Sequence, residues 1–277
     1  SNQLAQTLEK ENYTTIQMQK LATGHHAIST VINDNKGLFI VDTGAITMIN
    51  DSLLSKYQLE KSQMLKSIEG AGAGGLFIAD LYPIKNLILD GFDTKLDRLV
   101  TTELNTLTIG LFNANGKLID GLVGQDVLQS NQAIIDFKTN KLFLKPLRTN
   151  EANQGQLPRS KFDITLKKLN YDLVELGTIF IEEFNLNFLT VEIEINGNKG
   201  LLIVDSGAGR SMLHSKHFEK FTLNSNNTWS NQTTSGAGGA FNIAKIELAQ
   251  LNFKQLNLGN PVFLSADLSV LVEFIQL

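Results

Sequence analysis

A thirteen-residue string near the start of the chain, Asn33-Asp34-Asn35-Lys36-Gly37-Leu38-Phe39-Ile40-Val41-Asp42-Thr43-Gly44-Ala45, returns almost unchanged as Asn196-Gly197-Asn198-Lys199-Gly200-Leu201-Leu202-Ile203-Val204-Asp205-Ser206-Gly207-Ala208. Each copy runs four apolar residues into an aspartate, a small hydroxyl residue, glycine and alanine. That order describes a buried strand delivering one carboxylate into a tight turn. Whatever one copy builds, the chain builds twice, and two such carboxylates suggest one shared site.

The repeat extends beyond the string. Asp42 and Asp205 lie 163 residues apart, and the glycine-rich runs Gly72-Ala73-Gly74-Gly75 and Gly236-Ala237-Gly238-Gly239 keep nearly the same offset, 164. Upstream, Asn12-Tyr13 corresponds loosely to Asn170-Tyr171. A period this long exceeds any solenoid unit and fits duplication of a whole domain. The polar stretch Arg148 to Pro158, which lacks apolar periodicity, falls between the copies and predicts lobes of residues 1–150 and 151–277. The same offset carries Gly121-Leu122-Val123-Gly124 past Leu277, so the second lobe is expected to lack its final strands.

Within each lobe the apolar residues alternate or come in short blocks, as in Ala27 to Ile32, Phe188 to Ile195, Ile134 to Phe137 and Lys141 to Leu144. Short strands between Asn, Asp and Gly turns predict an all-β sandwich or barrel. Asn33 to Gly37 and Asn196 to Gly200 read as the hairpin turns that feed the aspartate strands. Helical signal is weak; the best candidates are Asp51 to Tyr57, His214 to Phe221 and Asp126 to Gln129.

Composition narrows the partners. The formal charge is −4 with Lys and Arg scattered, which disfavours nucleic acid and anionic lipid, and no apolar run approaches the ~20 residues of a membrane helix. Cysteine is absent, so disulfides, thiol nucleophiles and thiolate metal sites are excluded. A peptide or small molecule is the expected partner. Frequent Asn, Gln and Lys with few Pro fit a bacterial exported protein.

Together, the two Asp-Thr/Ser-Gly-Ala turns, the glycine-rich hairpins some thirty residues later and Gly121-Leu122-Val123-Gly124-Gln125-Asp126-Val127-Leu128 resemble the retropepsin branch of the aspartic proteases. The motifs are similar to the retroviral, homodimeric members and the layout to the fused, two-lobed pepsin-like members. The resemblance implies two β-barrel lobes with a cleft between them, and an endopeptidase that needs no cofactor or metal. It makes Asp42 and Asp205 the catalytic pair. Thr43 and Ser206 would lock the two loops together, with Gly44 and Gly207 as turn glycines. Gly72, Ala73, Gly74 and Gly75, and Gly236, Ala237, Gly238 and Gly239, would form flaps over a substrate peptide. Leu122, Val123 and Gly124 would pack beneath the Asp42 loop. Ile46 and Gly209 stand where retroviral members often carry a second acid, so that contact is not implied.

The residue types suit the chemistry. Two carboxyls held close cannot both ionise cheaply, so one holds a proton and the other serves as base, as is general for aspartic proteases. Glycine at the turns is expected to permit positive φ and close backbone approach. Glycine runs give hairpins that can hinge and add to a peptide as a strand.

Plainer readings compete. A lone Asp-Ser-Gly is ordinary turn chemistry, and the weight rests on two copies at constant offset from two glycine-rich hairpins. Phosphate loops are disfavoured, since no Lys-Ser/Thr follows the glycines. His25, His26, His214 and His217 read as surface or packing residues, Asp126 as a helix cap, Asp136 as a turn residue, and Phe77, Phe241 and Trp229 as core or cleft lining. The rival functions are a module that grips peptides without cleaving them and a homo-oligomeric assembly that completes the second lobe.

Overall fold

The computed structural model describes residues 2–146, 159–224, 226 and 228–276. The predicted linker from Arg148 to Pro158 lies outside them. The chain is mostly β, and its strands fall into sheets that do not cross from one half to the other.

In the N-terminal half, β1 (His26–Ile32) and β2 (Asn35–Val41) form the first hairpin. Ile32 pairs with Asn35 across Asn33 and Asp34, whose φ values of 47° and 68° are the left-handed pair that a two-residue hairpin turn demands. Among the strands that follow in the same sheet are β3 (Met48–Asn50), β4 (Lys66–Gly72), β5 (Gly75–Pro83), β6 (Arg98–Thr102) and β7 (Gly121–Val123). Their order in the sheet is β4-β5-β6-β3-β7-β2-β1. β7 is the keystone, running parallel to β2 (Val123 opposite Val41) and antiparallel to β3 (Leu122 opposite Met48). A Cβ on Gly121 would collide with the Met48 backbone, so only glycine lets the strand into that slot.

The C-terminal half repeats the plan with β8 (Leu186–Ile195), β9 (Asn198–Ile203), β10 (Met212–His214), β11 (Thr228–Gly236), β12 (Gly239–Glu247) and β13 (Val262–Ala266). Its first hairpin turns at Asn196 and Gly197, with φ of 50° and 80°. Here β11-β12-β13-β10 make one sheet while β9 pairs with β8 in another. Among the described residues no strand joins β9 to β10 as β7 joins β2 to β3. The burial follows. Phe39, Ile40 and Val41 are fully buried, whereas their counterparts Leu202, Ile203 and Val204 are half-buried.

Helix was underestimated from sequence. Asp51 to Tyr57 and His214 to Phe221 each hold only a single 3₁₀ turn, Asp51–Leu53 and Ser215–His217. α-Helices occur instead at α1 (Asn2–Lys10), α2 (Asn105–Asn115), α3 (Gln125–Ser130), α4 (Arg159–Lys168) and α5 (Ser269–Phe274), of which only α3 was anticipated. α2 was hidden because Thr, Ile and Gly lower its propensity and only Leu111 is buried. It stops at Gly116, whose φ of 67° lets its N–H return to Phe112 O.

Each half has its own core, one around Phe39, Tyr57 and Leu142 and the other around Ile195, Phe221 and Ile246. A third cluster is shared. Ala27, Ile40, Ile46 and Leu122 from the N-terminal half bury Ile181 and Phe188 from the C-terminal half, at about 1.5–3 kcal/mol per fully buried side chain. This shared cluster packs the halves together behind the two aspartate loops.

Candidate active site

The apolar run of β2 ends at Asp42, whose N–H donates to Val123 O at 2.9 Å. This bond sets β7, with Leu122 and Val123, alongside β2 at the foot of the loop. A Cβ on Gly124 would strike the backbone of Ala45 and Ile46. α3 then staples the loop from below: Gln125 N–H donates to Ala45 O at 2.8 Å and Gln125 Nε2 to Thr43 O at 2.9 Å. Asp126 does more than cap its own helix. Half-buried, it accepts from both the N–H and the hydroxyl of Thr47, at 2.8 and 2.6 Å, and desolvation raises its pKa.

The two loops meet through four reciprocal hydrogen bonds. Thr43 Oγ1 donates to Val204 O at 2.6 Å and accepts from Ser206 N–H at 2.9 Å. Ser206 Oγ donates to Val41 O at 2.8 Å and accepts from Thr43 N–H at 3.0 Å. The loops thus share a local two-fold relation, with hydroxyls on one half satisfying the backbone of the other. Asp42 and Asp205 are brought together, their side chains in hydrogen-bonding reach. Gly44 and Gly207 have ordinary negative-side backbone angles, contrary to the expectation of positive φ. Their need is for space. A Cβ on Gly44 would overlap the Asp205 carboxyl, and one on Gly207 the Asp42 carboxyl.

The pair is electrostatically unequal. Asp42 is 8% exposed, and its pKa stands well above the usual carboxylate range, first through burial, then through the charge of Asp205 and the hydrogen bond to it. The amides of Gly44 and Gly207 oppose that rise. Asp205 is exposed and accepts the amides of Gly207 and Ala208 at 2.8 and 3.0 Å. The inequality follows from β7, which buries one loop and has no described equivalent under the other.

The glycine-rich runs are hairpin tips. Gly72 pairs with Gly75 across Ala73-Gly74, and Gly236 with Gly239 across Ala237-Gly238. The tips touch each other, with Gly74 N–H donating to Ala237 O at 3.0 Å. A Cβ on Gly72, Gly74 or Gly238 would run into the opposite tip.

Residues 191–275 match the family model described as aspartyl protease. Within the C-terminal half, that stretch is similar to the aspartyl protease family. A crystal structure of a retropepsin-like aspartic protease from Rickettsia conorii is similar over 48% of this chain and 98% of its own length, at 19% identity and a TM-score of 0.35. No curated protein matches the chain. The mostly β build and the repeated Asp-Thr/Ser-Gly-Ala turn accompany that aspartyl protease match.

Other expected residues stand away from the aspartate pair. Asp136 accepts from Lys138 and Thr139 N–H and from the Thr139 hydroxyl, a turn as expected. His214 is buried, takes the Leu268 N–H on Nδ1 at 3.0 Å and stacks edge-on with His217. His26 is buried and bonded to Asn140. Among the described residues no group of three or more His, Asp or Glu side chains is placed to hold a metal ion. Phe77 packs over Gly70, and Trp229 is 42% exposed. A cavity of about 530 Å³ lined by Ser215, Asn231, Gln232 and Asp267, among others, includes neither aspartate of the pair. Sequence reasoning missed Asp120, which is buried and accepts both Lys56 Nζ and the Tyr57 hydroxyl behind β7. It also missed His25, whose Nε2 lies 2.9 Å from Gly207 O. No local signal marks either residue, because their partners are distant in the chain.

Proposed function

We propose that the chain is an aspartic endopeptidase of two lobes, residues 1–150 and 151–277, with Asp42 and Asp205 as its catalytic pair. The buried Asp42 holds the proton and donates a hydrogen bond to the scissile carbonyl. Ionised Asp205 takes a proton from water, whose oxygen attacks the carbonyl carbon while Asp42 protonates the carbonyl oxygen. The gem-diol then collapses; the C–N bond breaks, the amine leaves with the proton held on Asp205, and Asp42 regains its proton from the diol hydroxyl. The two hairpins, which meet at Gly74 and Ala237, part to admit an extended peptide, pair with its backbone and exclude bulk water.

What supports this reading above all is the reciprocal Thr43/Ser206 clasp, because it seats two carboxyls from distant parts of the chain against each other and makes one of them a weak acid. Peptide-library cleavage by wild type and by Asp42→Asn and Asp205→Asn tests it. Acid-favoured cleavage that a pepstatin-type inhibitor blocks, and that both variants lose, is expected. A wild type that cleaves nothing between acid and neutral pH would leave the peptide-gripping module instead.

One observation favours an assembly role beside catalysis. Among the described residues β9 pairs only with β8 and β10 only with β13, so neither has the partner that β7 gives to β2 and β3. An extended segment of a second chain, apolar and glycine-flanked like Gly121 to Gly124, fits that place. Sedimentation across a concentration series reads it directly, and a mass independent of concentration counts against it.

A further inference from the structure

Resting on the proposed catalytic pair, we infer that His25 is a positioning residue for Asp205, acting across the two halves through a single peptide group. His25 Nε2 lies 2.9 Å from the carbonyl of Gly207. A carbonyl only accepts, so Nε2 carries the hydrogen and the neutral ring accepts at Nδ1, where the Thr23 hydroxyl sits at 2.8 Å. The Gly207 carbonyl belongs to the same peptide unit as the Ala208 N–H, and that N–H donates to Asp205 Oδ1 at 3.0 Å. Asn115, the last residue of α2, completes the relay: its Nδ2 donates to Thr23 Oγ1 at 3.2 Å and to Leu111 O at 2.9 Å. With the Thr23 hydroxyl donating to His25 rather than to Asn115 Oδ1, which stands 3.4 Å from it, each hydrogen bond from Asn115 to Asp205 points the same way, and aligned bonds polarise one another. The Ala208 amide is thereby a stronger donor to an ionised Asp205.

The device exists on one side only. Strand pairing sets Ala27 opposite Ile40 and Thr190 opposite Ile203, so the repeat counterpart of His25 is Phe188, which is buried in the shared apolar cluster. Asp42 has β7 and α3 beneath its loop, and Asp205 has His25. Gly209 leaves the ring its place, since a Cβ there would stand 3.2 Å from His25 Cε1. The titratable groups that meet at this point are Asp42, Asp205 and His25 itself. The tether supports the exposed loop and holds the Ala208 amide on the Asp205 carboxyl.

His25→Ala, His25→Gln and His25→Phe separate this from a packing role. Loss of one such donor is expected to lower kcat about tenfold in the Ala and Phe variants with KM little changed. The acid limb of kcat/KM should move to higher pH, because a carboxylate robbed of a donor binds its proton more tightly. His25→Gln, which keeps a donor near Nε2, should restore most of the rate. A readout free of activity is the Asp205 side-chain ¹³C titration, whose midpoint should rise in His25→Ala and return in His25→Gln. An unmoved midpoint and acid limb overturn the inference, as does an equal loss in Ala and Gln variants that follows their melting temperatures. An inert wild type with the expected ¹³C behaviour would sink the peptidase reading and leave the tether standing.

Discussion

Gly44→Ala is the sharpest perturbation of the aspartate pair, because it adds one methyl group where two halves of the chain touch. The new Cβ would stand 2.5 Å from Asp205 Cγ and 2.7 and 2.9 Å from its oxygens, where ordinary contact begins at 3.4 Å. The Asp205 carboxyl must therefore retreat by about 1 Å. Since Gly44 lies outside the positive-φ region, alanine brings no backbone strain of its own and the whole effect is the collision. A 1 Å misplacement of a reacting group costs about 100-fold in rate, or ~2.7 kcal/mol. Overpacking should cost about 1–3 kcal/mol of stability, offset by about 0.4–1 kcal/mol from a less free unfolded chain. The assay is kcat/KM on a fluorogenic peptide at acid pH beside urea unfolding. Gly110→Ala is the control: its Cβ meets only Ser235 Oγ at 3.7 Å, and within α2 it should add ~0.5–1 kcal/mol while leaving cleavage unchanged. A Gly44→Ala protein with undiminished cleavage and an unmoved unfolding midpoint would refute the packing of the pair.

Three further outcomes are expected. Because burial and Asp205 raise the Asp42 pKa, the folded state holds a proton that the unfolded chain, with a carboxylate pKa of about 3.9, releases. Stability from this source is full below that unfolded value and is lost as pH rises through the folded one, so Asp42→Asn should flatten the decline in a pH series of urea midpoints. Thr43→Ala removes the partner of Val204 O and of Ser206 N–H and should cost about 2–4 kcal/mol, with Thr43→Ala/Ser206→Ala less destabilised than the sum of the singles because both sever one clasp. Tyr57→Phe takes a donor from buried Asp120 and should cost about 1–3 kcal/mol in the same measurement; no loss would mean that Lys56 alone satisfies the carboxylate.

Much of this protein was legible in its sequence because the signals are local. Asn33-Asp34 and Asn196-Gly197 name their own turns, the four apolar residues before each aspartate name a buried strand, and the glycine runs name hairpin tips. The helices were harder. α2 exposes Ile109 and Phe112 and buries little else, so no amphipathic stripe betrays it, and α1 packs against Tyr13 and Phe143 in a small cluster of its own.

The repeat by itself determined that two equivalent aspartate turns would form, since a nearly identical local sequence meets the same backbone sterics in both halves. Only the tertiary structure made them unequal. β7 slides between β2 and β3 and buries Asp42, while Asp205 stays exposed just past the end of β9 with His25 reaching over from the other half. The glycines beside them are required by a carboxyl that lies 161 residues away for Gly44 and 165 for Gly207, and by no local turn. Turn and strand preferences act over a few residues and can be read along the chain, whereas burial, charge and crowding depend on which distant surface folding brings near.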